Sequence, residues 1–335
     1  KDLIENDVKE VIIDLRDNGG GLLTAAVNMI DMLIEKGQTI VSTKGRMKES
    51  NRSFLSRTKP IIGKDVKIAI LINQGSASAS EIVAGSIQDL DRGIVIGRKS
   101  FGKGLVQTLY PIDKIRSLKV TTARYYIPSG RFIQNNDYIN EKVVLESEQE
   151  DSIFTTLNGR KVLGNGGITP DSIIYSETME PLTVQYWRSG FFYSFAQENK
   201  FQYEKFEDVE NDNELMSKFN NFISTKDNVR LPGEEVLEEI EEKMTALGKI
   251  DNKTKKAMND LGLFFKNQKN DRMVSENTDM KQLLLLEFAG LFNGPEGRIK
   301  QALKDDKVVQ SAINILSSDN SYQMAFKNSQ VIINN

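Results

Sequence analysis

Three short apolar runs constrain this chain more than any other feature. Val11-Ile12-Ile13-Asp14-Leu15, Lys67-Ile68-Ala69-Ile70-Leu71-Ile72 and Gly93-Ile94-Val95-Ile96-Gly97 have strand length and many β-branched residues. Each reads as a buried strand. Gly19-Gly20-Gly21 breaks the first, and Leu22, Ala26, Met29, Ile30, Met32 and Leu33 then recur at helical spacing over 22–35. A second helix is expected over about 78–90, and further strands over 105–109 and 118–126. The order strand, helix, strand, helix, strand predicts an α/β domain on a largely parallel or mixed sheet, over residues 1–180.

From about residue 181 the texture changes. Glycine and proline thin out, and Glu, Lys, Leu and Asn rise. Residues 234–247, 253–265, 280–292 and 297–316 read as amphipathic helices, the first opened by Pro232-Gly233-Glu234. The expectation is a mostly helical domain over 181–335, with Glu238, Glu239, Glu241 and Glu242 on a solvated face. A length of 335 residues suits two domains. The net charge of −3 argues against a nucleic-acid partner. No apolar stretch approaches the ~18 residues of a membrane span, and no signal peptide opens the chain.

Histidine and cysteine are both absent. That excludes a Ser-His-Asp triad, a Cys-His dyad, disulfides and zinc held by His or Cys within this chain. A nucleophile activated here needs Lys, Asp, Glu or Tyr as its base. The chain begins at Lys1, so a preceding segment that holds a histidine stays open.

Ser78 follows a buried strand and a Gly-Ser-Ala turn and opens a helix. A helix N-terminus offers unpaired N–H groups that suit an oxyanion. Ser78-Ala79-Ser80-Glu81 is also the S-x-x-E pattern of a plain capping box. Ser76 and Ser80 compete with Ser78, and spacing does not choose among them. Lys103 lies between Gly102 and Gly104, ahead of Leu105-Val106. An ordinary lysine titrates near ~10.4, and an apolar site lowers such a group toward the range useful for a base. On a strand, positions 103, 105 and 107 share a face, so the Gln107 amide can hold the lysine ammonium. The plain reading of both is a surface lysine and an exposed strand glutamine. Asp14-Leu15-Arg16-Asp17-Asn18-Gly19-Gly20-Gly21 joins a strand to a helix. Its glycines permit positive φ and can present an N–H to an oxyanion or pair with an extended peptide. Neither G-x-x-x-x-G-K-[ST] nor G-x-G-x-x-G follows, which leaves no phosphate cradle.

Together, Asp14 to Gly21, Asn73-Gln74-Gly75-Ser76-Ala77-Ser78-Ala79-Ser80-Glu81-Ile82 and Ser100-Phe101-Gly102-Lys103-Gly104-Leu105-Val106-Gln107 resemble the signatures of the carboxy-terminal processing peptidases, or tail-specific proteases. They occur in the family's order, with its 25-residue step from Ser78 to Lys103. The resemblance covers about residues 1–175 and includes 121–131 and 166–171. It implies a crotonase/ClpP-like protease core with Ser78 as nucleophile, Lys103 as general base and Gln107 orienting the lysine. It implies oxyanion donors at the N–H of Ala79 and of Gly20, with Gly21 as the alternative. It implies no metal or cofactor, protein or peptide substrates with apolar C-termini, and a periplasmic or otherwise extracytoplasmic location. Members usually carry a PDZ domain before this core. This chain is expected to lack that domain and any membrane anchor, and its helical region to dock an adaptor or a second copy. Two other readings stand beside this one. One is a non-catalytic peptide-binding or assembly module. The other is a crotonase-like acyl-coenzyme A enzyme, for which Glu81 is the near acid/base candidate.

Overall fold

The computed structural model describes residues 7–135, 152–164, 166–175, 179–226, 229, 231–248 and 250–328. The chain forms two compact units, Lys1–Ser176 with Lys307–Asn335, and Glu177–Asp306. The elements run β1 (Glu10–Asp14), α1 (Leu23–Asp31), β2 (Thr39–Gly45), β3 (Arg52–Leu55), β4 (Lys67–Ile72), α2 (Ala79–Asp89), β5 (Ile94–Gly97), β6 (Leu105–Pro111), β7 (Ser117–Tyr126), β8 (Ile153–Thr155), β9 (Lys161–Leu163) and β10 (Ser172–Ile173). Among the described residues of the second unit follow α3 (Pro181–Arg188), α4 (Phe191–Asn199), α5 (Phe206–Glu210), α6 (Leu215–Lys226), α7 (Pro232–Ala246), α8 (Asn252–Ser275) and α9 (Asn277–Lys304). Then come α10 (Lys307–Leu316) and α11 (Asp319–Asn328).

The three apolar runs are the parallel strands β1, β4 and β5, in a sheet of order β1-β4-β5-β10. β4 alternates between two cores. Ile68, Ile70 and Ile72 pack with α2, β2 and β7 residues, whereas Ala69 and Leu71 face Val308, Val309, Ala312 and Leu316. A second, antiparallel sheet has the order β3-β2-β7-β6. Every residue of α2 is buried. Its glycine lets the sheets close in, because a Cβ at Gly85 would sit 2.6 Å from Ile127 Cδ1. The 121–131 and 166–171 segments clamp the far end of this helix. Arg131 donates to Asp89 Oδ1 at 2.8 Å with both side chains fully buried, and Asp171 accepts from Gln88 Nε2 at 3.0 Å and Val95 N at 2.7 Å.

The α/β core followed by helices is as expected, but the helical part differs at its end. The expected domain 181–335 stops at Asp306 in the packing, and α10 and α11 belong with the first unit. The physical reason is β4, whose residues from Ile68 to Ile72 are all fully buried. A strand apolar on both faces needs cover on both. The amphipathic α10 supplies it, and Lys67 Nζ donates to Leu316 O at 2.7 Å. The continuous helix expected over 297–316 is therefore two helices in different units. Residues 329–335 lie outside the described residues. Leu316→Ala is expected to destabilise the first unit by about 2–5 kcal/mol, read as a lower midpoint in a urea titration.

The second unit is built on aromatic packing. Phe192 stacks on Phe219 with centroids 5.0 Å apart, and Phe195 meets Phe219 and Phe288 edge-on. The buried Glu276 carboxylate accepts from Thr183 N and Oγ1, both at 2.8 Å. α9 breaks at Gly294 (φ 66°, ψ −164°), ahead of Pro295. No helix among the described residues is long and apolar enough to cross a membrane.

Candidate active site

Three loops meet at the N-terminus of α2. Ser78 stands immediately before Ala79 with φ 57° and ψ −114°. An N-cap residue ordinarily has extended backbone. A non-glycine residue in this region stores roughly 1–3 kcal/mol, and such strain clusters at functional sites. Glu81 holds the turn. Its Oε2 accepts from Ser78 N at 2.7 Å and Lys103 N at 2.8 Å, and its Oε1 accepts from Ser100 Oγ at 2.6 Å and Gly102 N at 2.7 Å. One carboxylate oxygen thus joins the serine loop to the lysine loop. Burial pushes the Glu81 carboxyl above its ordinary 4.5, against the pull of these hydrogen bonds.

Tyr125, on β7, makes a second tie. Its hydroxyl donates to Lys103 O and lies 3.3 Å from Ser78 O. Burial, reinforced by the Glu81 charge, raises the phenol well above its usual range, so it stays a donor. The lysine loop is pinned further by Phe101 N donating to Ser76 O at 3.0 Å and Gly104 N donating to Gln134 Oε1 at 2.8 Å. Lys103 itself is half-buried.

The glycine loop docks on the other side of Ser78. Asn73 Oδ1 accepts from Asp17 N at 2.9 Å, and Ala77 N donates to Asn18 O at 3.0 Å. Gly20 has φ +84°, and a Cβ there would sit 2.4 Å from Ala77 O, 2.7 Å from Ala79 N and 3.1 Å from Ser78 Cβ. Only glycine fits this approach. The Gly20 N–H donates to Asn18 Oδ1 at 2.9 Å.

The fold therefore brings the loops of Ser78, Ala79, Gly20 and Lys103 together, and Gln107 follows four residues after Lys103 on β6. Lys103 precedes β6, and the register shift of the β6–β7 pair inserts Thr122 on β7, opposite the step from Val106 to Gln107. Gln107 is exposed, and no hydrogen bond joins it to Lys103 among the described residues. The competing serines are also sorted. Ser76 Oγ is committed, donating to Leu15 O at 2.7 Å and accepting from Asn73 N at 3.0 Å. Ser80 is buried in the first turn of α2. Glu81, with four donors on its two oxygens, has no role left as the acid/base of a crotonase-like reaction. Sequence reasoning took Glu81 for half of a capping box, which it is, but missed its bonds 19–22 residues ahead. Tyr125 was missed altogether, although it lies within a segment that carried the resemblance.

The "Peptidase family S41" model matches residues 1–144, and the model "Probable PDZ-protease, C-terminal helical domain" matches residues 181–316. The second match runs through α10, which packs with the first unit. A carboxy-terminal-processing protease of Bartonella bacilliformis is 48% identical over 133 residues, covering 38% of this chain and 29% of its own. A probable CtpA-like serine protease of Staphylococcus epidermidis is 34% identical over 191 residues, covering 52% and 38%. The solved photosystem II D1 C-terminal processing protease aligns with 52% of this chain and 36% of its own at a TM-score of 0.39 and 28% identity. The chain thus spans well under half the length of these relatives. Residues 1–144 are thus similar to peptidase family S41 and residues 181–316 to the C-terminal helical domain of PDZ-proteases, with carboxy-terminal-processing proteases among the relatives.

Proposed function

We propose that the chain carries the catalytic centre of a serine endopeptidase that cuts proteins near their C-termini, with Ser78 and Lys103 as its dyad. The observation that carries this reading is the Glu81 oxygen that accepts from both Ser78 N and Lys103 N, beneath a strained Ser78 at a helix N-terminus. Neutral Lys103 takes the proton of Ser78 Oγ as that oxygen attacks the scissile carbonyl. Ala79 N–H and Gly20 N–H donate to the tetrahedral oxyanion, which replaces Asn18 Oδ1 as the acceptor of Gly20. Lys103 then protonates the leaving amine, and water, with Lys103 again as base, hydrolyses the acyl-enzyme. β6 is the outer strand of its sheet and begins two residues after Lys103. Its open edge suits an extended peptide added as a further strand. Apolar substrate C-termini and a location outside the cytoplasm belong to the same reading.

The test is labelling by a serine-directed phosphonate, with the adduct mapped by mass spectrometry, alongside cleavage of an unfolded protein ending in apolar residues. An adduct at Ser78 with cleavage supports the proposal, and an adduct at Ser76 or Ser80 sinks it. Gly20→Ala is expected to lower the cleavage rate by ~10²-fold or more, since its Cβ clashes where an oxyanion donor is needed.

A further inference from the structure

The antiparallel sheet β3-β2-β7-β6 carries charge of one sign only. Lys44, Arg52, Lys119 and Arg124 lie on its strands, and no aspartate or glutamate does. The chain as a whole has more acids than bases, 47 against 44. Register sorts these cations by face. Thr43, Ala123 and Tyr125 are buried and Val106 packs on the core, so the residues that alternate with them point outward. Those residues are Lys44, Arg124 and Leu105. They form one row across three strands, because Lys44 pairs with Arg124 and Arg124 with Leu105. Lys119, opposite Leu109, adds a third cation to this face. Arg52 lies on the other face, opposite the buried Thr43, and its Nε donates to Glu49 O at 3.0 Å.

Like charges directly opposite on adjacent strands repel. Among the described residues neither Lys44 nor Arg124 has an ion pair or a hydrogen bond from its charged group. Aromatic rings hold both instead. Lys44 Nζ lies 4.9 Å from the Tyr126 ring centre and Arg124 Cζ 5.2 Å from that of Phe132, with the two rings 5.7 Å apart. A guanidinium stacked on a ring keeps its N–H edge free for a carboxylate. Phe132 is seated on Gly104, whose Cβ position lies 2.8 Å from the ring, so the stack leans Arg124 toward the start of β6. The next place in the row, beyond Leu105, is the open edge of β6. That edge is where the substrate is proposed to add as a strand. A residue of the added strand that faces outward beside Leu105 sits two strand spacings, about 10 Å, from Arg124. An arginine and a glutamate side chain span that gap together. We propose that Arg124, backed by Lys44, is a specificity subsite that selects an acidic side chain in the bound peptide, a few residues from the bond that is cut. The proposal rests on the added-strand reading of the substrate.

Fluorescence anisotropy on the Ser78→Ala chain tests it, since a bound peptide is then not cut. The probe is a labelled, extended apolar peptide with one Glu or one Lys walked through its length. At one position Glu is expected to bind about tenfold more tightly than Lys. The preference is expected to shrink in high salt. Adding Lys44→Glu and Arg124→Glu is expected to reverse the order, which a merely structural role for either side chain does not produce. Circular dichroism checks the fold of that variant. Lys44→Glu alone, at an exposed position, is expected to weaken the preference without touching the Phe132 stack. Peptides that bind with no preference for Glu at any position, or a preference that survives the charge reversal, overturn the subsite alone. Peptides that do not bind at all overturn the added-strand reading with it. A preference that appears only after the six acidic residues of 136–151 are changed to amides gives this place to the chain's own acids, and likewise overturns the proposal.

Discussion

Ser78→Ala and Lys103→Ala are each expected to reduce cleavage by on the order of 10⁴-fold or more while the protein stays folded. Members of a catalytic unit are strongly non-additive, so the double variant is expected to be scarcely worse than either single one. Stability separates the nucleophile reading from the cap reading. A serine whose value is to cap a helix loses about 1 kcal/mol on truncation, and its glycine variant loses only a few tenths. Ser78 instead sits at φ 57° and ψ −114°, a conformation that glycine adopts without strain. Ser78→Gly is therefore expected to raise the unfolding free energy by roughly 1 kcal/mol and to be inert. Denaturant titration beside a cleavage assay reads both. A Ser78→Gly protein that is less stable than the parent would mean that the serine is a cap.

The second large effect falls on Glu81. Glu81→Ala leaves the N–H groups of Ser78, Gly102 and Lys103 and the Ser100 hydroxyl without their acceptor in a buried site. The expected cost is about 3–5 kcal/mol, with loss of activity. Glu81→Gln keeps the shape but turns one oxygen into a donor facing donors, so activity falls without a comparable loss of fold. The pH dependence has a definite sign. Burial raises the folded carboxyl above its ordinary 4.5, so the folded state binds this proton more readily than the unfolded chain does. The Glu81 contribution to stability is therefore fully present below 4.5 and is lost as pH rises through the raised folded value. Activity runs the other way, because only the ionised carboxylate accepts from all four donors. Acid is expected to silence cleavage while circular dichroism still reports a folded chain. Activity and fold lost together, or an unchanged acid limb in Glu81→Gln, would remove Glu81 from this role.

Much of this was legible where local pattern decides structure. The run over 67–72 is β4 residue for residue, and 78–90 is α2 to within one residue at either end. Both were visible because unbroken apolar runs and S-x-x-E are local signals. β2 and β3 were not foreseen, since Thr39–Gly45 mixes buried and exposed residues and gains its register from β3 and β7. Helices α3 to α6 were also unforeseen. They are short and hold together through phenylalanines distant in sequence, not through long periodic faces. In the candidate site, Ser78, Lys103 and Gly20 could be singled out because each lies in a short distinctive segment. Gln107 was placed beside Lys103 on strand alternation, but Lys103 lies two residues before β6 begins, where that alternation does not yet apply. The Glu81 links to the lysine loop carry no local signal, because they exist only after both loops have closed on one carboxylate.

The outer face of β4 is covered by residues made long after it. Lys67 meets Leu316 across 249 positions, and Tyr322 reaches Ile68 O across 254. During synthesis the central strands must wait for α10 and α11 before that face is sealed, a long-range closure of the kind that slows folding. A nascent chain that has already exposed Ser78 and Lys103 therefore still lacks part of the support beneath them. The proposed cutting centre is therefore fully supported only after the segment that follows the helical unit has been made.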